Sequence, residues 1–295
     1  MPTSTKFDQF KDYVRARGWR WKPGATIPYG EQIIVGDAAS EVVANFWPKR
    51  GALNLQGRES ALRAELQAWL DEHAKRGPTT TITGPHLGLD ESGKGDWFGP
   101  VIVAAVYVDT SQTETALRKI GARDSKQIDS SLVSRLADQI ERLIPAEHRR
   151  LQALEPGMLW EGADNMNVLL AEAYAQAARP VWRSAQASKI VCDQFSQRAD
   201  RLDQAFAAAG LPKPLQQHHA ESASIAVAAA SVLASAAFAR ALETLGEMAG
   251  FGKPLPKGAS DIQQLEAAAR WIVARQGAQA LKRYAKPFKP VMVFV

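Results

Sequence analysis

From residue 86 onward the chain alternates short apolar runs with amphipathic ones, and that alternation constrains its fold more than any other feature. "LGLDESG", "GPVIVAAVYVD" and "ASKIVCDQF" read as strands, the last of them buried. Residues 131–144, 166–180, 222–245 and 261–277, together with "RLDQAFAAAGL", carry helical spacing. Strands interleaved with helices build an α/β domain with a layered core, although strand order is not written in the pattern.

Residues 1–76 follow a different rule. "KFDQFKDYVRAR" places Phe7, Phe10 and Val14 on one helical face. Strands follow through Gln32–Val35, over 41–48 and over 51–57, with Lys49, Arg50 and Gly51 at the turn between the last two. A helix over 59–76 aligns Leu62, Leu66, Trp69 and Leu70. "GPTTTITGP" then has no periodicity. The expectation is a small N-terminal domain over 1–80 and a larger one over 85–295.

Composition narrows the class. With 46% hydrophobic residues among 295 there is material for both cores, and the net charge of +5 favours a polyanionic partner. A single cysteine, Cys192, cannot close an internal disulfide, which suits a reducing, cytoplasmic setting. Residues 222–239 are uncharged and long enough to span a bilayer. They are mostly Ala and Ser, however, so a packed core helix is expected and no membrane partner. The first twenty residues, polar and charged, do not read as a signal peptide.

The chemistry concentrates in "GLDESGKGDWFGP", residues 88–100. Its glycines and Lys94 nearly spell a P-loop, but Gly95 stands where the magnesium-binding hydroxyl belongs, and Asp90 and Glu91 would repel a polyphosphate. Read the other way, two adjacent carboxylates at a strand end can hold magnesium or manganese against a phosphodiester. An isolated pair would be no more than a solvated turn. Asp193, after the apolar Ile190-Val191-Cys192, and Glu221, just before the uncharged helix, supply two further acids. Asp124 is another candidate, equally suited to capping a helix, and spacing does not choose among these acids. His218 and His219 are too few for a zinc site.

These segments resemble the type 2 ribonucleases H, and ribonuclease HIII more closely than ribonuclease HII. The resemblance rests on "GLDESGKGDWFGPVIVAAV", "RDSKQ", "NMNVLLAEAYAQA", "KIVCDQF" and "KPLPKGAS" in the family's order, and on Glu221 where the HII group has Asp. It covers residues 86–260; the ending "KPFKPVMVFV", strand-like in pattern, departs from it. It implies an α/β, ribonuclease H-like mixed-sheet catalytic domain and a small N-terminal α+β domain resembling the TATA-box-binding protein. The implied activity is hydrolysis of the RNA strand of RNA–DNA hybrids, leaving 5′-phosphate and 3′-hydroxyl ends. Asp90, Glu91, Asp193 and Glu221 would hold two Mg2+ or Mn2+ ions, with Asp90 bridging them. Gly93, Lys94 and Gly95 would face the hybrid.

The N-terminal segment through residue 84 carries 12 lysines and arginines against 9 acids, net +3. Aromatics sit among its bases in "RGWRWKPG" and "NFWPKRG", so Trp19, Trp21, Trp47, Lys49 and Arg50 are candidate substrate contacts, although each tryptophan alone would as readily fill a core. The expected partner is the hybrid duplex, with no obligate protein partner. Cleavage at single ribonucleotides embedded in DNA, a non-catalytic hybrid-binding role and an ATPase are the alternatives.

Overall fold

The structure is a computed structural model that describes residues 6–48, 52–58, 60–74, 82–122, 130–161, 166–193, 200–217 and 220–294. The chain divides into two compact units, Met1–Thr79 and Thr80–Val295.

In the first unit, α1 (Lys6–Ala16) precedes β1 (Arg20–Pro23), β2 (Glu31–Gly36), β3 (Glu41–Trp47) and β4 (Ala52–Gln56), and α2 (Ala61–Ala74) closes it. The strands form an antiparallel meander in sequence order. Phe7, Phe10 and Val14 of α1 and Leu62, Leu66 and Trp69 of α2 pack with Ile33, Val35, Val42, Ala44, Phe46 and Leu55. Period-two alternation therefore turns Gln32, Ile34, Val43, Asn45, Trp47 and Asn54 to the opposite face.

The second unit is built on β5 (His86–Ser92), β6 (Val101–Val108), α3 (Ser111–Lys119), α4 (Ser130–Leu143), β7 (Arg149–Leu154), α5 (Pro156–Glu161), α6 (Met166–Ser184), β8 (Ile190–Asp193), α7 (Asp200–Ala208), β9 (Leu215–Gln217), α8 (Ala220–Ala223), α9 (Ile225–Met248), α10 (Ile262–Gln276) and α11 (Lys289–Met292). Its five-stranded sheet runs β7-β6-β5-β8-β9, antiparallel through β7, β6 and β5 and parallel through β5, β8 and β9. The sheet is thus mixed, and the architecture is α/β.

Both sheet faces are covered. Ile102, Ala104, Val106 and Val108 of β6 pack with α9 and α4, whereas Val101, Val103, Ala105 and Tyr107 pack with Leu87, Leu89 and α6. Helix α9 is long and apolar enough to cross a membrane, yet it is the core helix of this unit, buried along most of its length. Gly88 explains its seat on the sheet: a Cβ there would lie 2.3 Å from the Val227 amide nitrogen and 2.4 Å from the Ala226 carbonyl carbon. Only glycine lets helix backbone rest on strand backbone at this point.

Three expectations are revised. The helix expected over 222–245 starts only after Ser224, which accepts from the Val227 amide and N-caps α9, and Glu221, expected just before that helix, lies in the separate turn α8. The strand-like ending folds as α11, because Pro290 suits a helix's first turn. "RWKP", read as part of a turn, is the edge strand β1. Lys49, Arg50, Asp124, His218 and His219 lie outside the described residues.

Candidate active site

The parallel ladder between β5 and β8 pairs Leu87 with Ile190, Gly88 with Val191 and Leu89 with Cys192. The next step brings Asp90 and Asp193 side by side at the carboxyl ends of both strands. Asp90 lies opposite Ala104, so it shares the α9 face with Gly88. Asp193 shares that face as well, since Val191, two residues back, packs with Ala220, Ala223 and Val227. The same contacts seat α8 against β8 and bring Glu221 to this end of the sheet. All four acids are half-buried.

Glu91 differs. It lies opposite Val103 and shares the α6 face with Leu87 and Leu89. There the fully buried Tyr174 of α6 donates its hydroxyl to Glu91 Oε2. Burial, then the charges of Glu91 and Asp90, push the Tyr174 hydroxyl well above its ordinary range, so it remains a donor. The buried Cys192 thiol is raised for the same reasons, desolvation first and then Asp193, Glu91 and Asp90. Negative charge from both sheet faces therefore converges on one strand end.

The donor set suits a divalent ion. It is made of carboxylates, the hard oxygen ligands that magnesium and manganese prefer. Asp193 Oδ1 is buried and has no hydrogen-bond partner among the described residues, an arrangement that a cation would relieve. Among the described residues no three His, Cys, Asp or Glu side chains stand together as a group that could hold a metal ion, so the acids share a strand end without forming a closed ligand cluster.

The turn after β5 is fixed from three sides. Gly93 has φ +89°, and a Cβ on it would meet the Pro100 carbonyl at 2.5 Å and the Phe238 ring at 2.6 Å. The Gly258 amide donates to Asp96 Oδ1, and Trp97 N donates to Gly258 O, so the loop "KPLPKGAS" is tied to the turn. From the C-terminal segment, Gly99 N donates to Tyr284 O and Lys286 N to Trp97 O. The buried Lys286 ammonium donates to the carbonyls of Asp96 (2.9 Å) and Phe98 (3.0 Å). Lys94 is half-buried and Gly95 exposed, with open space around its Cα.

In the small unit the candidate aromatics separate. Trp19 and Trp21 pack against the core on the helical side, Trp19 edge-on to Tyr13 and Trp21 beneath Lys11 and Arg15. Trp47 lies on the opposite face with Asn45, which accepts from Gln32 Nε2 at 2.6 Å. The sequence reading missed Tyr174, Lys286, Gly88 as a helix seat and this row of amides; an amide recurring at alternate strand positions was the one available signal.

A mixed sheet with acids gathered at the ends of two parallel central strands is the architecture of a ribonuclease H-type nuclease. The model of the family described as Ribonuclease HII matches residues 87–286. Ribonuclease HIII of Protochlamydia amoebophila is 32% identical over 243 residues, 80% of this chain and 78% of its own. Ribonuclease HIII of Bacillus cereus is 30% identical over 226 residues, 74% and 70%. Among solved structures, Bst-RNase HIII in complex with Mn2+ covers 97% of this chain and 95% of its own at 24% identity, with a TM-score of 0.65. Ribonuclease H2 of Pyrococcus horikoshii covers 71% of this chain and 96% of its own at 20% identity and a TM-score of 0.59. The chain belongs to the type 2 ribonucleases H and, within them, to the ribonuclease HIII family; it is an endoribonuclease.

Proposed function

We propose that Asp90, Glu91, Asp193 and Glu221 hold two divalent ions, magnesium or manganese, and that the chain uses them to hydrolyse the RNA strand of RNA–DNA hybrids. The observation that carries this reading is the register that sets Asp90 beside Asp193, with a buried Asp193 oxygen that has no hydrogen-bond partner among the described residues. The Mn2+ complex of the Bst enzyme supports it. Bound ions would activate a water and neutralise the leaving oxygen.

The chain's own groups do the rest. Asp90 and Asp193, both on the α9 face of the sheet, carry the negative charge that draws a cation to the strand ends, and Glu221 completes that side. Gly93 keeps the turn tight, while the open backbone at Gly95 can approach a wide minor groove and hydrogen-bond a 2′-hydroxyl. Lys94 offers a cation to a backbone phosphate. We assign substrate grip to the small unit, a domain over 1–80 of the TATA-box-binding-protein kind. Gln32, Asn45, Asn54 and Trp47 give its helix-free face amides and an aromatic, and Lys49 and Arg50 remain candidate contacts from the sequence. Trp21 and Trp19 serve as supports. Binding then weakens with salt as phosphate contacts are lost. The hybrid is the partner, with no protein partner required, and the buried thiol of Cys192 suits a reducing cytoplasm.

Cleavage of two labelled substrates, with magnesium and with manganese, tests the reading: a uniform RNA–DNA hybrid and a DNA duplex carrying one ribonucleotide. Many cuts in the hybrid with the single ribonucleotide spared supports it. Efficient cutting at the single ribonucleotide moves the chain to HII-like action, and no cutting of either leaves a binding role.

A further inference from the structure

Adjacent residues of a strand project to opposite faces, which poses a problem for a metal site that uses both Asp90 and Glu91. Asp90 meets the other acids on the α9 face. Glu91 is turned to the α6 side, opposite Val103 and on the face of Leu89, where a bare carboxylate would border an apolar cluster. Tyr174 answers that problem. Its ring is fully buried in the same cluster, and its hydroxyl donates to Glu91 Oε2. A carboxylate has two oxygens, so a donor fixed on Oε2 sets the plane in which Oε1 can ligate. Outer donors of this kind orient ligands and raise the affinity of the ion they hold.

We propose that Tyr174 is a positioning residue that aims the Glu91 carboxylate at a divalent ion across the end of β5; this rests on the reading of the four acids as a metal site. Tyr174 touches neither substrate nor ion and acts through Glu91 alone. Losing its hydroxyl weakens metal binding while leaving the grip on the hybrid unchanged.

The experiment is calorimetric titration of Mn2+ into the full chain as wild type, Tyr174→Phe, Glu91→Gln and the double variant. Hybrid KM is measured alongside at saturating Mn2+. Tyr174→Phe keeps the ring and its volume, and circular dichroism verifies the fold. Expected are a loss of Mn2+ affinity of about 10-fold in Tyr174→Phe, an unchanged KM, and no further loss when the substitution is added to Glu91→Gln. Unchanged or tighter Mn2+ binding in Tyr174→Phe, with Glu91→Gln weakened, overturns the proposal, as does additive weakening in the double variant. If Glu91→Gln binds Mn2+ like the wild type, the reading of the site itself fails, and the proposal with it.

Discussion

Lys286 and Phe98, 188 positions apart in sequence, are joined by a hydrogen bond from a fully buried ammonium to a main-chain carbonyl, and the same ammonium reaches the Asp96 carbonyl. Burial lowers the Lys286 pKa from 10.5 to about 7, opposed by the Asp96 charge. The neutral amine keeps two N–H donors for the two carbonyls, so the anchor survives deprotonation. Between pH 7 and 10.5 the unfolded chain binds more protons at this site than the folded one, so the contribution to stability is lowest at pH 7 and rises with pH. The slope is about 1.4 kcal/mol per pH unit. Denaturant unfolding of wild type and Lys286→Met from pH 6.5 to 9 checks this. The stability of wild type relative to Lys286→Met should rise with pH; a constant difference contradicts it.

Much of this architecture was legible. The strands carrying Asp90 and Asp193 hold apolar runs, because strands covered on both faces must, and each run stops visibly at its acid. The mixed topology was legible through the family resemblance and not from local pattern, for β7 begins "RRLQ" on the sheet edge and β9 is only three residues long, so neither carries a periodicity of its own. The helix break at Ser224 was hidden because "ESASIAV" has good helical composition; the serine's use as a cap depends on α9 sitting on Gly88. Tyr174 lies 83 positions from Glu91 and Lys286 190 from Asp96, and pairings at that range have no local signature.

His86 gives the fold an acid limit. Its ring is buried, Nδ1 lies 2.7 Å from the Gly84 carbonyl and Nε2 2.8 Å from Ser224 Oγ. A carbonyl only accepts, so Nδ1 carries the proton and Nε2 accepts from the serine that caps α9. Desolvation, the largest cause, lowers the pKa below 6.5. The neutral ring's contribution is therefore complete above pH 6.5 and lost as pH falls through the lowered folded value. Thermal unfolding between pH 7.5 and 5 should show a steeper acid loss in wild type than in His86→Asn.

Asp193→Asn separates chemistry from binding. The substitution keeps the shape of the side chain but removes the charge beside Asp90. Losing an outer partner of a metal ligand costs 10–100-fold, so losing a proposed ligand should cost more than about 100-fold in cleavage rate. Hybrid affinity, measured by fluorescence anisotropy without metal, should stay within about 3-fold of wild type, because phosphate contacts elsewhere dominate it. Retained cleavage in this variant removes Asp193 from the site.

Gly93 and Gly95 lie two residues apart in one turn and should respond differently to the same methyl group. At Gly93 the backbone has φ +89° and the added carbon would collide with the Pro100 carbonyl and the Phe238 ring, so Gly93→Ala should cost about 1–3 kcal/mol of stability. At Gly95 nothing lies within 4 Å of the added carbon, so Gly95→Ala should leave the unfolding midpoint unchanged. If this backbone approaches the minor groove of the hybrid, the same methyl must then meet the substrate. KM for the hybrid should rise several-fold in Gly95→Ala at constant Tm, which thermal unfolding and steady-state kinetics together would read. An unchanged KM would move the contact with the 2′-hydroxyl away from Gly95.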